Sequence, residues 1–274
     1  MRLSDKLDFK LPYREQNSNK GTFGKVLNFA GSKNYIGAAY LSSISALKIG
    51  AGYIALATEK NIIKTVSIML PDAVYLSREQ GVKQIENYDI VMIGCGLGQT
   101  IQSKYLFDKV VKKAKELNKT TVIDADGLNI LSTKDIDLPQ NTIITPHPAE
   151  AARLLGVNVS DVLNDLENSA KTLSKKYDCI TVLKTHRTII CDKNLNIHVN
   201  QNGNSALAKA GSGDVLAGIL SGLLAQGMNL FEAVKLGVYL HARTGEIASE
   251  ELTEYSVLAS DLPKYLPRAI KELL

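Results

Sequence analysis

The chain is 274 residues long, 45% hydrophobic and 22% charged, with a formal net charge of +4 at pH 7. These values exclude global disorder, collagen-like repetition and coiled coil, and the length suits about one large domain. A mild basic excess, no tryptophan and 6% aromatic residues argue against a nucleic-acid binder. Lys109, Lys112, Lys113 and Lys115, close to Glu116, read as one solvated helix face.

The N-terminal stretch Met1–Lys20 is polar and charged and shows no secretory leader. From residue 25 onward, short β-branched runs alternate with helical patterns. Strands are predicted at Val26–Ala30, Tyr53–Ala57, Ile90–Ile93, Thr121–Ile123, Thr142–Ile144 and Ile180–Leu183. Between them fall helices at Ala38–Ile49, Asn61–Met69, Ser103–Leu117, Pro148–Leu155 and Asp161–Lys176. Several strands are continuously apolar, as in a parallel sheet covered by helices on both faces. Thr188–Cys191 and Ile197–Val199, joined by a polar connection, break the rhythm as an antiparallel edge hairpin. Three helices follow: Gly213–Ala225, Leu230–Glu250 and Ala259–Leu273. With no repeat or linker, the expectation is a single α/β domain over residues 1–274.

The longest apolar stretch, Val215–Met228, is interrupted by Gly218, Ser221, Gly222 and Gln226. It is too short for about 30 Å of hydrocarbon at ~1.5 Å per residue. Cys95, Cys179 and Cys191 are an odd set without C-x-x-C spacing, which gives neither a disulfide framework nor a zinc site. A cytoplasmic protein without a membrane partner is expected.

Ligands of open α/β sheets bind where strands hand over to helices at their carboxyl ends. Glycine-rich turns stand at three such points. The first, Phe29–Ala39, carries Gly31 and Gly37; the second, Ile93–Gln99, carries Gly94, Gly96 and Gly98 at G-x-G-x-G rather than dinucleotide spacing. The third, Ala210-Gly-Ser-Gly-Asp-Val-Leu, runs straight into an apolar helix, so that Gly211, Ser212 and Gly213 aim amides at a helix N-terminus suited to an anion. Asp214 reads either as that helix's N-cap or as a base beside a phosphoryl group. Thr145-Pro-His-Pro-Ala-Glu150 brings His147 and Glu150 to the sheet edge, and Asp124 and Asp126 sit at another strand end, where turn and capping roles compete with catalysis.

Together these segments resemble the NAD(P)H-hydrate dehydratases, a carbohydrate-kinase-like branch of the ribokinase-like superfamily. The matching pieces are Lys20-Gly-Thr-Phe-Gly-Lys-Val-Leu27, Ala30-Gly-Ser, Tyr35-Ile-Gly-Ala38 and Gly94-Cys-Gly-Leu-Gly98. They continue through Ile123-Asp-Ala-Asp-Gly-Leu128, Thr145–Glu150, Val182-Leu-Lys184, Gly203-Asn204 and Ala210–Leu216. The resemblance implies a ribokinase-like three-layer sandwich with a mainly parallel sheet. It implies a metabolite-repair lyase that dehydrates the S epimer of NADH or NADPH hydrate, NADHX or NADPHX, at the expense of ADP or ATP. It assigns Asp214 as the base and the Gly211–Gly213 amides as the phosphoryl cradle. Substrate contacts carry onto Ala38, Gly98, His147 and Asp214, and adenine-nucleotide contacts onto Lys184, Thr185, His186, Arg187, Thr188 and Gly213. Mg2+ is expected to arrive with the nucleotide, held by phosphates and water, with no protein ligand set of its own.

The resemblance also implies a homo-oligomer, a tetramer, for which the apolar Leu236, Val238 and Leu240 would allow packing. The family motifs start about twenty residues in, so the additional epimerase domain of many relatives is expected to be absent. The chain departs from the family at Thr185, at Ser205-Ala206 and at Lys209-Ala210, where Lys209 would add charge near the phosphates. The rivals are an ATP-dependent kinase of the same superfamily, acting on a hydroxymethylpyrimidine, a thiazole alcohol or a sugar, and a catalytically silent nucleotide sensor.

Overall fold

The computed structural model describes residues 9–274; the first eight residues of the polar N-terminal stretch lie outside the described residues. Nine strands form one sheet: β1 Lys25–Phe29, β2 Tyr53–Thr58, β3 Val74–Ser77, β4 Ile90–Ile93, β5 Thr120–Ile123, β6 Thr142–Ile144, β7 Ile180–Leu183, β8 Ile189–Cys191 and β9 Ile197–Val199. Their order is β3-β2-β1-β4-β5-β6-β7-β8-β9. The first seven strands pair in parallel, and β7–β8 and β8–β9 pair antiparallel, which is the expected edge hairpin.

Alternate residues of each central strand serve different layers, which explains their unbroken apolar sequence. On β2, Ile54 and Leu56 join one buried cluster while Ala55 and Ala57 join the other. The first cluster packs under α1 (Ile36–Lys48), α2 (Lys60–Met69), α9 (Ser212–Ala225), α10 (Leu230–Ser256) and α11 (Leu262–Lys271). The second packs under α3 (Arg78–Gln84), α4 (Ile101–Glu116), α5 (Asp126–Leu131), α6 (Pro148–Leu155), α7 (Val159–Asn164) and α8 (Leu166–Tyr177). The result is the three-layer sandwich that the resemblance implied. The Val215–Met228 stretch supplies most of α9, whose middle is buried throughout. Among the described residues, no helix is long and apolar enough to cross a membrane. Lys109, Lys112 and Lys115 do lie on an exposed helix face.

Four features depart from the sequence reading. The β3–α3 unit was not anticipated, because an edge strand of four residues and a polar helix carry little periodic signal. Its Gly81 lies where a Cβ would come within 2.5 Å of Ala57 and 2.8 Å of Phe29, so α3 lies almost against the sheet. The six-residue helix α5 stands where a turn was expected. The helix expected at Asp161–Lys176 is two, α7 and α8, divided at Asp165, whose side chain accepts from the Asn168 amide and caps α8. Leu236, Val238 and Leu240 are buried in the chain's own core, so they are not available for packing against another subunit.

The sheet order reverses between β1 and β4, making a topological switch point. The two glycine turns that follow these strands are stitched together there. Gly31 N donates to the Cys95 carbonyl at 2.8 Å and Ser32 Oγ to that of Gly96 at 2.9 Å. The Arg78 guanidinium, from the unanticipated α3, donates to the carbonyls of both Gly31 and Leu97.

Helix α9 reaches the sheet edge only because it lies unusually close to α1. A Cβ on Gly218 would stand 2.2 Å from the Ser42 carbonyl oxygen, and one on Gly222 would stand 2.6 Å from that of Ala46. Gly218→Ala is therefore expected to lower stability by ~1–3 kcal/mol in urea unfolding, overpacking outweighing the better helix propensity of alanine. Unchanged stability would mean that the helices can separate here without cost.

Candidate active site

The third glycine turn leads directly into α9, and of the two readings of Asp214 it excludes the N-cap. Gly211, with φ +96°, is the N-cap of α9, and a Cβ on it would strike Leu41 at 2.6 Å. Asp214 is therefore not the cap: it is the third helical residue, in the first turn of α9. Ser212 is fixed from the side by His241 of α10, whose Nε2 lies 3.0 Å from both the Ser212 hydroxyl and its carbonyl oxygen. Burial pushes the His241 imidazole down to about 4, so it stays neutral.

Asp214 shares a small pocket with Cys95 and Asp124, their ligand atoms lying within 4.8 Å of one another. Asp124 is 1% exposed. Its Oδ1 accepts from Lys184 Nζ at 2.7 Å and from the Thr145 hydroxyl at 2.7 Å. Lys184 follows β7 and also lies 3.8 Å from Glu150 Oε2. Burial alone would lower the pKa of its ammonium, but the Asp124 and Glu150 carboxylates outweigh that and raise it. The one lysine is thus committed to two acids, and Asp214 is surplus. Burial first, and then the Asp124 charge, push the Asp214 carboxyl up to about 7. Burial and the same two aspartates keep Cys95 a thiol, able to donate rather than accept.

His147 is the N-cap of α6, with Pro148 in the first turn. Its Nδ1 accepts from Ala149 N at 3.1 Å, while its own amide donates to Glu150 Oε2 at 2.8 Å. The proton of the neutral ring is therefore on Nε2. Burial, followed by the Lys184 and Arg153 charges, lowers its pKa. Glu150, buried beneath it, has its pKa raised by burial.

The residues singled out in the sequence fall on two sides of Asp214. On one side is a cleft of about 830 Å³ between the β7–β8 connection, residues 200–209, and the start of α9 above α10. Lys184, Thr185, His186, Arg187, Thr188, Gly213 and His147 all line it. A turn closes on itself there, with Thr185 Oγ1 donating to the Arg187 carbonyl at 2.7 Å and Thr188 Oγ1 to that of Thr185 at 3.2 Å. Ala38 and Gly98 do not line this cleft. They belong to the switch-point turns, where a Cβ on Gly96 would stand 2.8 Å from that of Ala38. Gly98, at φ +77°, donates its amide to Asp126 Oδ2 at 2.8 Å. Cys95 in the same turn connects them to Asp214.

Sequence reasoning missed Cys95 as a partner of Asp214, and it missed Arg78 and His241. A histidine within the apolar run Leu236–Ala242 was the one available signal for the last of these. Lys209 lines the cleft as expected, but its ammonium donates to the Tyr255 carbonyl at 3.0 Å.

A three-layer sandwich carrying an acid at the head of a glycine-led helix, beside a basic cleft at the sheet's carboxyl edge, defines a protein of the ribokinase-like class. Within that class the chain belongs to the NAD(P)H-hydrate dehydratase family, whose model matches residues 26–268. It is 34% identical over 279 residues to the bifunctional NAD(P)H-hydrate repair enzyme of Thermofilum pendens, covering 96% of this chain and 53% of that one. The chain thus spans about half the length of that relative. It is 35% identical to the ADP-dependent (S)-NAD(P)H-hydrate dehydratase of Neisseria meningitidis, over 86% of this chain and 81% of that protein. The crystal structure of the ADP/ATP-dependent NAD(P)H-hydrate dehydratase of Bacillus subtilis, co-crystallised with ATP and Mg2+, superposes with a TM-score of 0.86 at 32% identity. That match covers 96% of this chain and 95% of the other.

The raised Asp214 pKa has a consequence for stability. A free aspartate titrates near ~3.9, so between about pH 4 and 7 the folded chain holds a proton that the unfolded chain has released. Stability from this group therefore falls as pH rises through that window. Asp214→Asn is expected to melt ~2 °C or more above the parent at pH 8, with the difference closing by pH 4. Equal melting temperatures at pH 8 would show that the carboxylate is not strained.

Proposed function

We propose that the chain is an ADP-dependent (S)-NAD(P)H-hydrate dehydratase, a carbon–oxygen lyase that returns hydrated NADH or NADPH to the active coenzyme. The observation that carries this reading is Asp214, a carboxyl pushed up to about 7 in the first turn of a glycine-led helix. A base poised near neutrality is matched to removing a proton from an alcohol. Family membership supplies the alcohol: the hydroxyl of the hydrated dihydronicotinamide ring.

Hydroxide is a poor leaving group and phosphate a good one. Asp214 takes the hydroxyl proton as the oxygen attacks the terminal phosphoryl group of ADP, giving AMP and a phosphate ester. The ring nitrogen then pushes its lone pair, the C–O bond breaks, and phosphate departs. Loss of the neighbouring ring proton restores the double bond. During transfer the Gly211 and Gly213 amides meet the charge on the phosphoryl oxygens, an electrostatic contribution that preorganised donors make without rearranging; the Ser212 amide between them is taken by the Lys209 carbonyl at 3.2 Å. Lys184, Thr185, His186, Arg187, Thr188 and Gly213 hold the nucleotide, Ala38, Gly98 and Asp214 hold the hydrate, and His147, on the wall of the cleft, meets the hydrate from the nucleotide side.

The cleft suits a polyanion. Lys184, Arg187 and Lys209 line it, and among the described residues no aspartate or glutamate does. Mg2+ entering with the nucleotide fits such a wall through the phosphate oxygens and water it brings, and when bound it neutralises phosphate charge.

The decisive experiment follows absorbance of the dihydronicotinamide band with NADPH hydrate, Mg2+ and either ADP or ATP. A nucleotide-dependent rise is expected, larger with ADP. A flat trace, with nucleotide consumed on a small alcohol instead, would replace this reading by the kinase. Asp214→Asn should lose ~10²–10⁴-fold in turnover while still binding nucleotide, and the parent's kcat/KM should fall tenfold per pH unit below about 7. Loss of nucleotide binding in the variant would assign Asp214 to the nucleotide instead. Lys209→Ala should weaken ADP binding by a few-fold at low salt and less at high salt, since its charge is exposed; unchanged affinity at both would remove Lys209 from the site.

A further inference from the structure

One wall of the cleft, residues 200–209, contains no regular structure beyond a single 3-10 turn at Ser205–Leu207. Its two ends are tied by backbone hydrogen bonds, Asn200 N donating to the Thr188 carbonyl at 2.9 Å and Ser212 N to that of Lys209 at 3.2 Å, and between them four contacts tie it to α10. Gly203 N donates to Glu246 Oε1 at 2.6 Å and Asn204 Nδ2 to Ser249 Oγ at 2.7 Å. Ser205 Oγ donates to the Glu254 carboxylate, and Lys209 reaches the Tyr255 carbonyl. Two of these anchors are Ser205 and Lys209. Both contact the end of α10 beyond Thr253, where the backbone leaves helical geometry (φ 68°, ψ 154°).

Glu246 is the anchor with the most support behind it. Its second oxygen takes Arg243 Nη1 at 2.9 Å, and Arg243 holds the two carboxylate oxygens of Glu272 through Nε and Nη2, each at 2.8 Å. A forked, bidentate pair fixes the guanidinium plane, and with it the rotamer of the carboxylate that it also contacts. Glu246 and Arg243 do not line the cleft themselves. Gly203, at φ +111°, presents its amide directly to Glu246.

We infer that Glu246, oriented by Arg243, is a positioning residue for the adenine nucleotide: it holds the 200–209 wall in place so that the nucleotide meets a surface already ordered. An anchored wall loses little conformational freedom on binding, whereas a loose one must be ordered at the expense of affinity. This rests on reading the cleft as the adenine-nucleotide site.

The test compares the parent, Glu246→Leu and Glu246→Gln. The readouts are the ADP dissociation constant by calorimetry, the KM of NADPH hydrate at saturating ADP, and amide hydrogen exchange across residues 200–209. Glu246→Leu should weaken ADP binding about tenfold and speed exchange in that segment, with the hydrate KM within about twofold of the parent's. Glu246→Gln keeps an oxygen for the Gly203 amide and should recover most of the affinity. A merely structural role would lower the melting temperature and weaken both ligands alike, and that result overturns the inference. So does unchanged ADP affinity in a folded Glu246→Leu. Should that variant not fold, Arg243→Met decides by the same measurements: selective ADP loss supports the inference and unchanged ADP affinity overturns it. A parent that binds no ADP would overturn the cleft reading and this inference together, whereas normal ADP binding by both parent and variants would overturn the inference alone.

Discussion

The ammonium of Lys184 stands between two buried carboxylates, and a third carboxylate, that of Asp214, lies beside them against the Cys95 thiol. Asp124 takes the close contact at 2.7 Å and Glu150 the longer one at 3.8 Å. Like charges crowded in a poorly solvated pocket cannot all be ionised, so the cluster keeps a proton into the neutral range. Asp214 is the group pushed up, by burial first and then by the Asp124 charge, while Asp124 Oδ1 takes both Lys184 and Thr145. The rest of the site is arranged around that imbalance. His241 and Gly211 fix the first turn of α9, and Gly218 and Gly222 let the whole helix sit deeply enough to bring Asp214 to the cluster.

The strands and the glycine turns were legible because each carries a local signal. β4, β6, β7 and β9 fall where their apolar runs end, and the turn at Ala210–Leu216 announced both a positive-φ glycine and the helix behind it. The α3 unit was illegible for an equally local reason, since four edge residues and a polar helix obey neither period. Arg78 went with it. That arginine binds two carbonyls from turns far apart in sequence, and such a role has no local signature.

The partnership of Cys95 with Asp214 was hidden in another way. A cysteine inside a glycine turn reads as a small apolar filler, and only the parallel alignment of β4, β5 and the start of α9 makes it a donor. The capping alternative for Asp214 failed by three residues. Gly211 took the cap because a left-handed residue there lets the chain turn over Leu41 and Ala259, and this moved the acid from outside the helix into its first turn. The wall at residues 200–209 lacked a signal of its own for the same reason as Arg78. Its order is supplied by Glu246 and Ser249, more than forty positions later.

The separation of the two ligand regions follows from helix geometry at one point. Consecutive residues on an α-helix project about 100° apart, so Gly213 and Asp214 cannot address the same space. Gly213 opens on the cleft with Lys184, where even a Cβ would stand 3.4 Å from Nζ and 3.5 Å from Asp124 Oδ2. Any larger residue would press on the ion pair and occupy the space offered to a phosphate. Asp214 turns instead toward Cys95 and the switch-point turns that carry Ala38 and Gly98. In the proposed reaction, one helical turn therefore presents amides to a phosphoryl group on one side and a base to an alcohol on the other. Transfer between two ligands needs that division, and it would be lost if either residue were shifted by one position.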